Sequence, residues 1–188
     1  SAANAIGDHA FYECRNLTSI ILPQTITKIT TNAFARSGIQ KIIIPDAVTS
    51  LGGDAFAYCD QLNTVVIGKK VKSTSQGVFY SSAIKDVYCF PTTPPNKSAY
   101  LFSSNPVIHV YAKALNAYKT AGWEEYGTLV GDLDDHEDIT AIDVIEADEE
   151  APAADNADAP IYDLSGRRAT SLQHGTFYIQ GGKVFRME

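Results

Sequence analysis

No apolar run in the sequence approaches the roughly 18 residues that a membrane-spanning helix needs, which predicts a chain without a transmembrane segment. The 188 residues include only three cysteines and no C-x-x-C pair, a pattern that argues against a zinc site and a complete disulfide framework. We therefore expect free thiols. The sequence begins at Ser1 without a charged segment and an apolar run behind it, so we expect that an export signal has been removed.

Motifs of the common enzyme classes are also missing. The four histidines form no H-E-x-x-H motif, and there is no G-x-S-x-G, no phosphate-binding loop and no dinucleotide fingerprint. The acidic run from Asp132 lacks the glycine and the glutamate of an EF-hand loop, which favours a solvated linker over a calcium site. Lys69, Lys70 and Lys72 form a basic cluster too small for a nucleic-acid footprint. We therefore expect no catalytic site, no cofactor, no bound metal and no nucleic-acid partner.

Basic residues are absent from one stretch of the chain. Residues 132–160 contain 12 acidic residues and no lysine or arginine, whereas residues 1–131 carry 11 basic and 8 acidic residues and residues 161–188 carry 4 and 2. Low hydrophobicity combined with Asp, Glu, Ala and Pro is typical of an extended linker, although the alternating apolar residues of 139–145 would suit one strand. We predict a repeat body at 1–131, an acidic linker at 132–160 and a small C-terminal domain at 161–188.

What the sequence does contain is a repeat of 22 or 23 residues. Four successive segments begin at Ile6, Ile29, Leu51 and Thr74. Phenylalanine recurs in them at spacings of 23, 22 and 23 residues, each time after a small or short apolar residue: Phe11, Phe34, Phe56 and Phe79. Three further apolar columns share this period: Leu17, Ile39, Leu62 and Ile84; Ile20, Ile42, Val65 and Val87; Leu22, Ile44, Ile67 and Cys89. Such self-similarity indicates stacked repeat units.

The pattern within one unit predicts its local structure. Mostly β-branched residues alternate, as at Ile42 and Ile44, and predict one short strand per unit, centred on residues 21, 43, 66, 88 and 109. The Ala-Phe step follows a suitable cap residue, Asp8, Asn32 or Asp54, and predicts a short helical turn that buries the phenylalanine. One unit alone cannot bury its apolar columns, so the units are expected to stack into a solenoid with a parallel sheet along one side.

The consensus L-x-x-I-x-L-P-x-x-I-x-x-I-x-x-x-A-F-x-x-C resembles the BspA-like leucine-rich repeats of surface proteins from Bacteroides relatives and some anaerobic protists. The resemblance covers about residues 6–131 and weakens in the fourth unit, where Thr74 replaces the expected isoleucine and Pro94-Pro95 interrupts the pattern. It implies an α/β repeat solenoid, a right-handed leucine-rich-repeat superhelix that is mostly β with short helical turns.

Residues 107–131 are predicted to cap the array. The predicted cap has three parts: a fifth strand at Val107–Tyr111, a helix at Ala112–Ala121 ended by Gly122, and an apolar lid of Trp123, Tyr126 and Leu129. This arrangement resembles the C-terminal cap of such arrays, which shields the apolar face of the last unit. No equivalent cap precedes Ile6, so we expect further repeats upstream.

The C-terminal residues 161–188 have the pattern of a small antiparallel β meander. Alternating apolar segments are separated by a Ser-Gly turn and by Gly181-Gly182, which is a good hairpin signal. The segment resembles the endings of many Bacteroidetes surface and secreted proteins, but it is much shorter than a full type IX sorting domain. It implies an exported protein. Because so small a meander has little core of its own, we expect it to dock on the sheet face or near Trp123.

One surface of the predicted sheet is a candidate partner site. If residues 20 and 22 point inward, the same phase places Ile21, Ile43, Val66, Tyr88 and His109 on the exposed face, flanked by Lys41, Thr64, Lys85 and Asp86. Strand propensity alone also favours apolar residues there. An exposed apolar stripe is otherwise typical of a docking site, and the C-terminal meander is a third candidate to cover it.

The cysteines suit a structural role better than a chemical one. Cys14 and Cys59 occupy one column two repeats apart, with Ser37 between them and Ser82 beyond. Adjacent strands lie about 4.8 Å apart, which places the two thiols near ~10 Å and beyond disulfide reach. We expect Cys14, Cys59 and Cys89 to be reduced and buried.

The resemblance implies a cell-surface or secreted binding or adhesion module that recognises a host or bacterial protein or glycan through the solenoid surface, and that is not an enzyme. A rival hypothesis is a non-catalytic scaffold domain of a larger secreted enzyme whose catalytic part lies upstream. The sequence before Ser1 would separate the two, since further repeats favour adhesion and a catalytic domain favours the scaffold.

Overall fold

The computed structural model describes residues 4–133 in full and, further along, the backbone of strands at 162–163, 177–180 and 183–186. The chain divides into two compact units, Ser1–Ala141 and Ile142–Glu188. The described strands of the first unit are β1 (Ala5–Ile6), β2 (Lys28–Ile29), β3 (Lys41–Ile44), β4 (Ser50–Leu51), β5 (Thr64–Ile67), β6 (Ser73–Thr74), β7 (Asp86–Cys89), β8 (Val107–Tyr111) and β9 (Thr128–Leu133).

These strands form two parallel sheets, as expected for a solenoid in which each repeat makes one coil. The long sheet has the order β3-β5-β7-β8-β9, and the short sheet has the order β1-β2-β4-β6. Neighbouring strands pair one repeat apart, so Ile43 pairs with Val66 and Val66 with Tyr88. The fold class predicted from the repeat is confirmed. The short sheet was not predicted, because a strand of two residues leaves no alternation to detect.

Of the five predicted long strands, the four centred on residues 43, 66, 88 and 109 are confirmed, and the first, centred on residue 21, is wrong. Residues 20–22 are not a strand, although the backbone N–H of Gln40 donates to the Thr18 carbonyl at 3.0 Å. This segment lies at the end of the stack, where it has a neighbour on one side only, and Pro23 lacks an N–H for pairing. The long sheet also contains a strand that was not predicted, β9, which includes Leu129 of the predicted lid and Asp132 of the predicted linker.

The core contains a column of stacked phenylalanine rings. Phe34, Phe56 and Phe79 are fully buried, whereas Phe11 is half-buried where the described stack begins. Successive ring centroids lie 4.8 to 5.4 Å apart and the rings are parallel within 15°. Phe102 continues the column at 5.3 Å from Phe79, so the array has one more coil in register than the four predicted units.

The Ala-Phe steps are tight turns and not the short helical turns that were predicted. Both ends of each turn adopt the left-handed conformation, as shown by φ values of 53° at Asn32, 61° at Arg36, 53° at Asp54 and 58° at Tyr58. The backbone N–H of the phenylalanine donates to the next coil, for example from Phe34 to the Ala55 carbonyl at 2.8 Å. That bond replaces the hydrogen bond within the chain that a helix would need. Asn32 and Asp54 therefore occupy left-handed positions, which their short polar side chains tolerate, and they cap no helix.

The cap begins with the predicted strand, but its α-helix is shorter than the predicted one. Val107–Tyr111 is strand β8; a 3-10 turn at Ala112–Ala114 leads into helix α1 (Leu115–Thr120), and Gly122 follows with a φ of 72°. Trp123 and Tyr118 are buried and pack edge to face at 5.1 Å. The Tyr118 hydroxyl donates to the Pro91 carbonyl at 2.9 Å, which attaches the cap to the preceding coil.

The second unit contains three described strands, β10 (Tyr162–Asp163), β11 (Phe177–Gln180) and β12 (Lys183–Arg186). β11 pairs antiparallel with both β10 and β12, and Ile179 lies opposite Val184. The predicted Ser-Gly and Gly181-Gly182 turns, the docking of residues 161–188, the strand at 139–145 and the linker beyond Leu133 lie outside the described residues.

Candidate functional site

The predicted partner site on the sheet face is only partly exposed. Ile43, Val66, Tyr88 and His109 share one column of the long sheet, which Val130 extends. Ile21 is 47% exposed, but Val66 is 0% exposed, so the predicted exposure is wrong at that residue. The short Val66 side chain stands between the longer side chains of Ile43 and Tyr88, and both of these are half-buried. The column is therefore not a continuous exposed stripe.

The polar residues predicted beside this column divide into two groups. Lys41, Thr64 and Asp86 pair across the sheet in one register, whereas Lys85 immediately precedes β7. Lys41 and Thr64 are half-buried and Lys85 is exposed. Ile21 and Lys85 are therefore the predicted residues most accessible to a partner.

His109 has more interactions than the sequence suggested. Its imidazole stacks on the Tyr88 ring with centroids 4.5 Å apart and an angle of 9°. Nδ1 lies 2.8 Å from Oδ2 of Asp132, and Nε2 lies 3.6 Å from Oδ1 of Asp86. Only the Asp132 contact is a hydrogen bond, and the buried Nε2 has no hydrogen-bond partner among the described residues. The stacking on Tyr88 and the bond to Asp132 together orient the imidazole ring.

A second surface was missed by the sequence analysis. Among the described residues, five large hydrophobic side chains are exposed, and four of them are tyrosines on the Ala-Phe turns or their continuation: Tyr12, Tyr58, Tyr80 and Tyr100. We call the surface formed by these turns the turn edge. Exposed aromatic side chains of this kind are enriched where proteins bind partners.

Three of these tyrosines form one wall of a groove. The rings of Tyr58 and Tyr80 meet edge to face at 5.7 Å, and those of Tyr80 and Tyr100 at 6.1 Å. The groove is lined by six residues, of which five have polar side-chain atoms: Asp54, Tyr58, Gln76, Gly77, Tyr80 and Tyr100. The Arg36 guanidinium lies 4.6 Å above the Tyr58 ring at one end of this wall.

Gly77 is the one residue in the groove lining that has no side chain. Its φ is 69°, and a Cβ at this position would collide with the Asp54 carboxylate. Glycine therefore serves two purposes here, since it adopts the left-handed conformation without a steric penalty and leaves room for the Asp54 side chain. A larger residue at position 77 would push that carboxylate away from its place beside the tyrosines.

Two of the groove tyrosines are conformationally strained. Tyr58 has a φ of 58° and Tyr100 a φ of 57°, in the left-handed region that bulky residues rarely occupy. The position that Tyr100 occupies is filled in earlier coils by His9, Asn32, Asp54 and Gly77, residue types that adopt this conformation more readily. The left-handed conformation recurs in the turns of the other coils, so it belongs to the repeated turn and does not single out the groove.

The signal for this groove in the sequence is weak. Tyr12 and Tyr80 each follow a phenylalanine of the core column, but Tyr58 and Tyr100 belong to two other columns of the repeat. Their proximity depends on the tight turns, which were predicted as short helical turns. A systematic search for aromatic residues within four positions of the phenylalanine column would find Tyr58 and Tyr80.

Two of the three cysteines, Cys59 and Cys89, are buried in the core. The Cys59 thiol donates to the Phe34 carbonyl at 3.2 Å, and Ser82 links the next coil, since its hydroxyl donates to the Phe56 carbonyl at 2.7 Å and accepts from the Cys59 N–H at 3.0 Å. Burial raises the pKa of Cys59, against the opposing effect of its hydrogen bond to Ser37, and burial also raises the pKa of Cys89. All three thiols are free, but Cys14 is half-buried and corrects the prediction of complete burial.

Neither a metal centre nor a membrane span emerges from the part of the chain that the structure describes. Over those residues, no three histidine, cysteine or carboxylate side chains are grouped so that they could hold a metal ion. Within the same residues, no helix combines the length and the apolar character required to cross a membrane.

Stacked parallel coils, an internal phenylalanine column and a cap define a repeat solenoid of the leucine-rich class. Residues 1–108 match the BspA type leucine-rich repeat region in six copies, two more than the units found by inspection. The chain therefore belongs to the BspA-type leucine-rich repeat family. A comparison with curated proteins returned no match. Repeat domains of this family are interaction modules and are generally non-catalytic.

Proposed function

We propose that the chain is a cell-surface or secreted adhesion module that binds an extracellular macromolecule through the turn edge, with the groove at Tyr58, Tyr80 and Tyr100 as its main contact. The observation that carries the proposal is the exposure of these rings, which reaches 64% at Tyr100. Tyrosine supplies a large contact area with only two rotatable side-chain angles, so it loses little conformational entropy on binding.

The family supports this proposal without specifying the partner. Repeat solenoids bind through extended surfaces, because each coil adds a similar patch beside the previous one. The endings of many exported Bacteroidetes proteins, which residues 161–188 resemble, support placement outside the cell. A scaffold role in a larger secreted enzyme would use the same fold, but it gives no reason for three exposed tyrosines along one groove.

The sheet face is a second candidate surface. Ile21 and Lys85 are exposed there. A partner that contacts these two residues would also reach the half-buried column of Ile43, Tyr88 and His109. The buried Val66 and the half-buried neighbours limit the accessible apolar area. We therefore place the main contact on the turn edge and assign the sheet face an auxiliary role.

A binding panel of immobilised extracellular matrix proteins and glycans tests this proposal. The purified chain is compared with the double variant Tyr80→Ala/Tyr100→Ala, with Tyr12→Ala and with Lys85→Glu. We expect the double variant to lose binding that Tyr12→Ala retains. Loss confined to Lys85→Glu would transfer the function to the sheet face, and unchanged binding by all three variants would contradict both surfaces.

A further inference from the structure

The groove at Tyr58, Tyr80 and Tyr100 has the composition of a carbohydrate site. We propose that its ligand is an uncharged oligosaccharide, an assignment that rests on the proposed function and names the ligand class of the same site. The side chains that line the groove include no aliphatic residue, since they belong to Asp54, Gln76 and the three tyrosines beside Gly77. A groove for an amphipathic peptide helix would instead be lined by hydrophobic residues.

The tyrosine rings suit the apolar faces of sugar rings. Two edge-to-face contacts connect the three tyrosines, so most of their ring faces are not covered by one another. The face of an aromatic ring carries partial negative charge, and the C–H groups on one side of a pyranose carry partial positive charge. Since Arg36 already covers one face of Tyr58, Tyr80 and Tyr100 are the rings that a sugar would contact.

The polar residues suit the hydroxyl groups of the same ligand. The Asp54 carboxylate accepts hydrogen bonds from two neighbouring hydroxyls, and the Gln76 amide both donates and accepts. Both side chains are exposed on the turn edge and line the groove together with the rings. Sugars present C–H faces and hydroxyl edges side by side, which matches this alternation of rings with a carboxylate and an amide.

The charge of the groove lining disfavours acidic ligands. Asp54 is the one charged side chain in that lining, and the Arg36 guanidinium lies outside it, stacked on Tyr58 at one end of the wall. Like charges at close range are unfavourable, and the effect is strongest where water is displaced by the ligand. The proposal therefore specifies neutral hexose oligosaccharides and predicts discrimination against their sulfated or sialylated forms.

The test uses calorimetric titration of the full chain with short glucose, galactose and mannose oligosaccharides, each paired with a sulfated form. We expect one neutral series to bind and its sulfated form to fail. Tyr80→Ala and Tyr100→Ala should each weaken binding about tenfold, the scale of one lost aromatic contact. Asp54→Asn should weaken binding of the neutral sugar and reduce the discrimination against sulfate.

Tyr12→Ala is the matched control. Tyr12 also follows a phenylalanine of the core column and is 39% exposed against 38% for Tyr80, but it does not line the groove. Its loss should leave sugar affinity within about twofold, a change well below the tenfold effect of a lost contact. Melting temperatures of all variants confirm that they fold.

Two results would overturn the assignment. If no neutral oligosaccharide binds, while a proline-rich peptide or a folded matrix protein binds and Tyr80→Ala abolishes that binding, the groove is a protein site and the proposed function survives. If Tyr80→Ala and Tyr100→Ala change the binding of no ligand, the sugar assignment and the proposed function fail together.

Discussion

The rings of Phe34 and Phe56 lie 5.2 Å apart and are parallel within 2°. Both side chains are fully buried, so each coil is held on the next by aromatic contact as well as by backbone hydrogen bonds. The period of the repeat places one such ring in every coil. The column therefore connects the sequence pattern directly to the stability of the stack.

Replacing Phe34 with alanine should lower the free energy of unfolding by about 3 to 5 kcal/mol, because a large side chain is removed from the middle of the column. Phe11→Ala serves as the control, since Phe11 is half-buried and should cost less. Urea denaturation of both variants checks this. Equal losses, or an unchanged midpoint for Phe34→Ala, would contradict the role of the column.

Ser82→Ala should cost about 1 to 3 kcal/mol, because it leaves the Cys59 N–H and the Phe56 carbonyl without their buried partner. Ser103 is a suitable comparison, since its hydroxyl also accepts a backbone N–H, from Ser81 at 2.9 Å, but does so at the surface. Ser103→Ala should have a smaller effect because water replaces the bond. Thermal unfolding of the two variants measures the difference, which should vanish if burial is irrelevant.

Thiol reactivity should follow burial. Cys14 is half-buried and should react with a thiol reagent in the native state, whereas Cys59 and Cys89 should react only after unfolding. Mass spectrometry of the labelled peptides over time resolves the three sites. If Cys89 is labelled as fast as Cys14, the core is accessible to the reagent and the prediction is wrong.

Stability should decline at alkaline pH. Burial raises the pKa of Cys59 and Cys89, so the folded state keeps protons that the unfolded state releases above the ordinary thiol pKa of about 8.5. The stabilisation is fully present below that pH and is lost as the pH rises above it, by up to about 1.4 kcal/mol per pH unit for a thiol that stays protonated in the folded state. Cys89→Ala should therefore flatten the decline between about pH 9 and pH 10. Parallel curves for the variant and the parent chain would refute this origin.

Much of the fold follows from the sequence because the solenoid repeats one geometric solution. The phenylalanine column and the strands from Ile42 to Cys89 were predictable, since their residues recur at fixed spacing and alternate within each strand. Phe102 was missed because Pro94-Pro95 interrupts the pattern and Leu101 replaces the usual small residue before it.

The turns and the groove depend on features that the period does not encode. Glu13, Arg36, Tyr58 and Ser81 adopt left-handed backbone conformations although none is glycine or asparagine, so composition gave no sign of them. The groove also combines Tyr58, Tyr80 and Tyr100 from three different columns of the repeat. Only the hydrogen bonds between coils, such as Tyr58 N–H to the Tyr80 carbonyl at 2.8 Å, place these residues side by side.

Nitration of exposed tyrosines, read by mass spectrometry with and without the strongest binder from the panel, tests the central claim most directly. Tyr12, Tyr58, Tyr80 and Tyr100 are all exposed, so each is open to the reagent in the free chain. A ligand in the groove should protect Tyr80 and Tyr100 and leave Tyr12 unchanged. Protection at Tyr88 on the sheet face, with none at Tyr80 or Tyr100, would contradict binding through the turn edge.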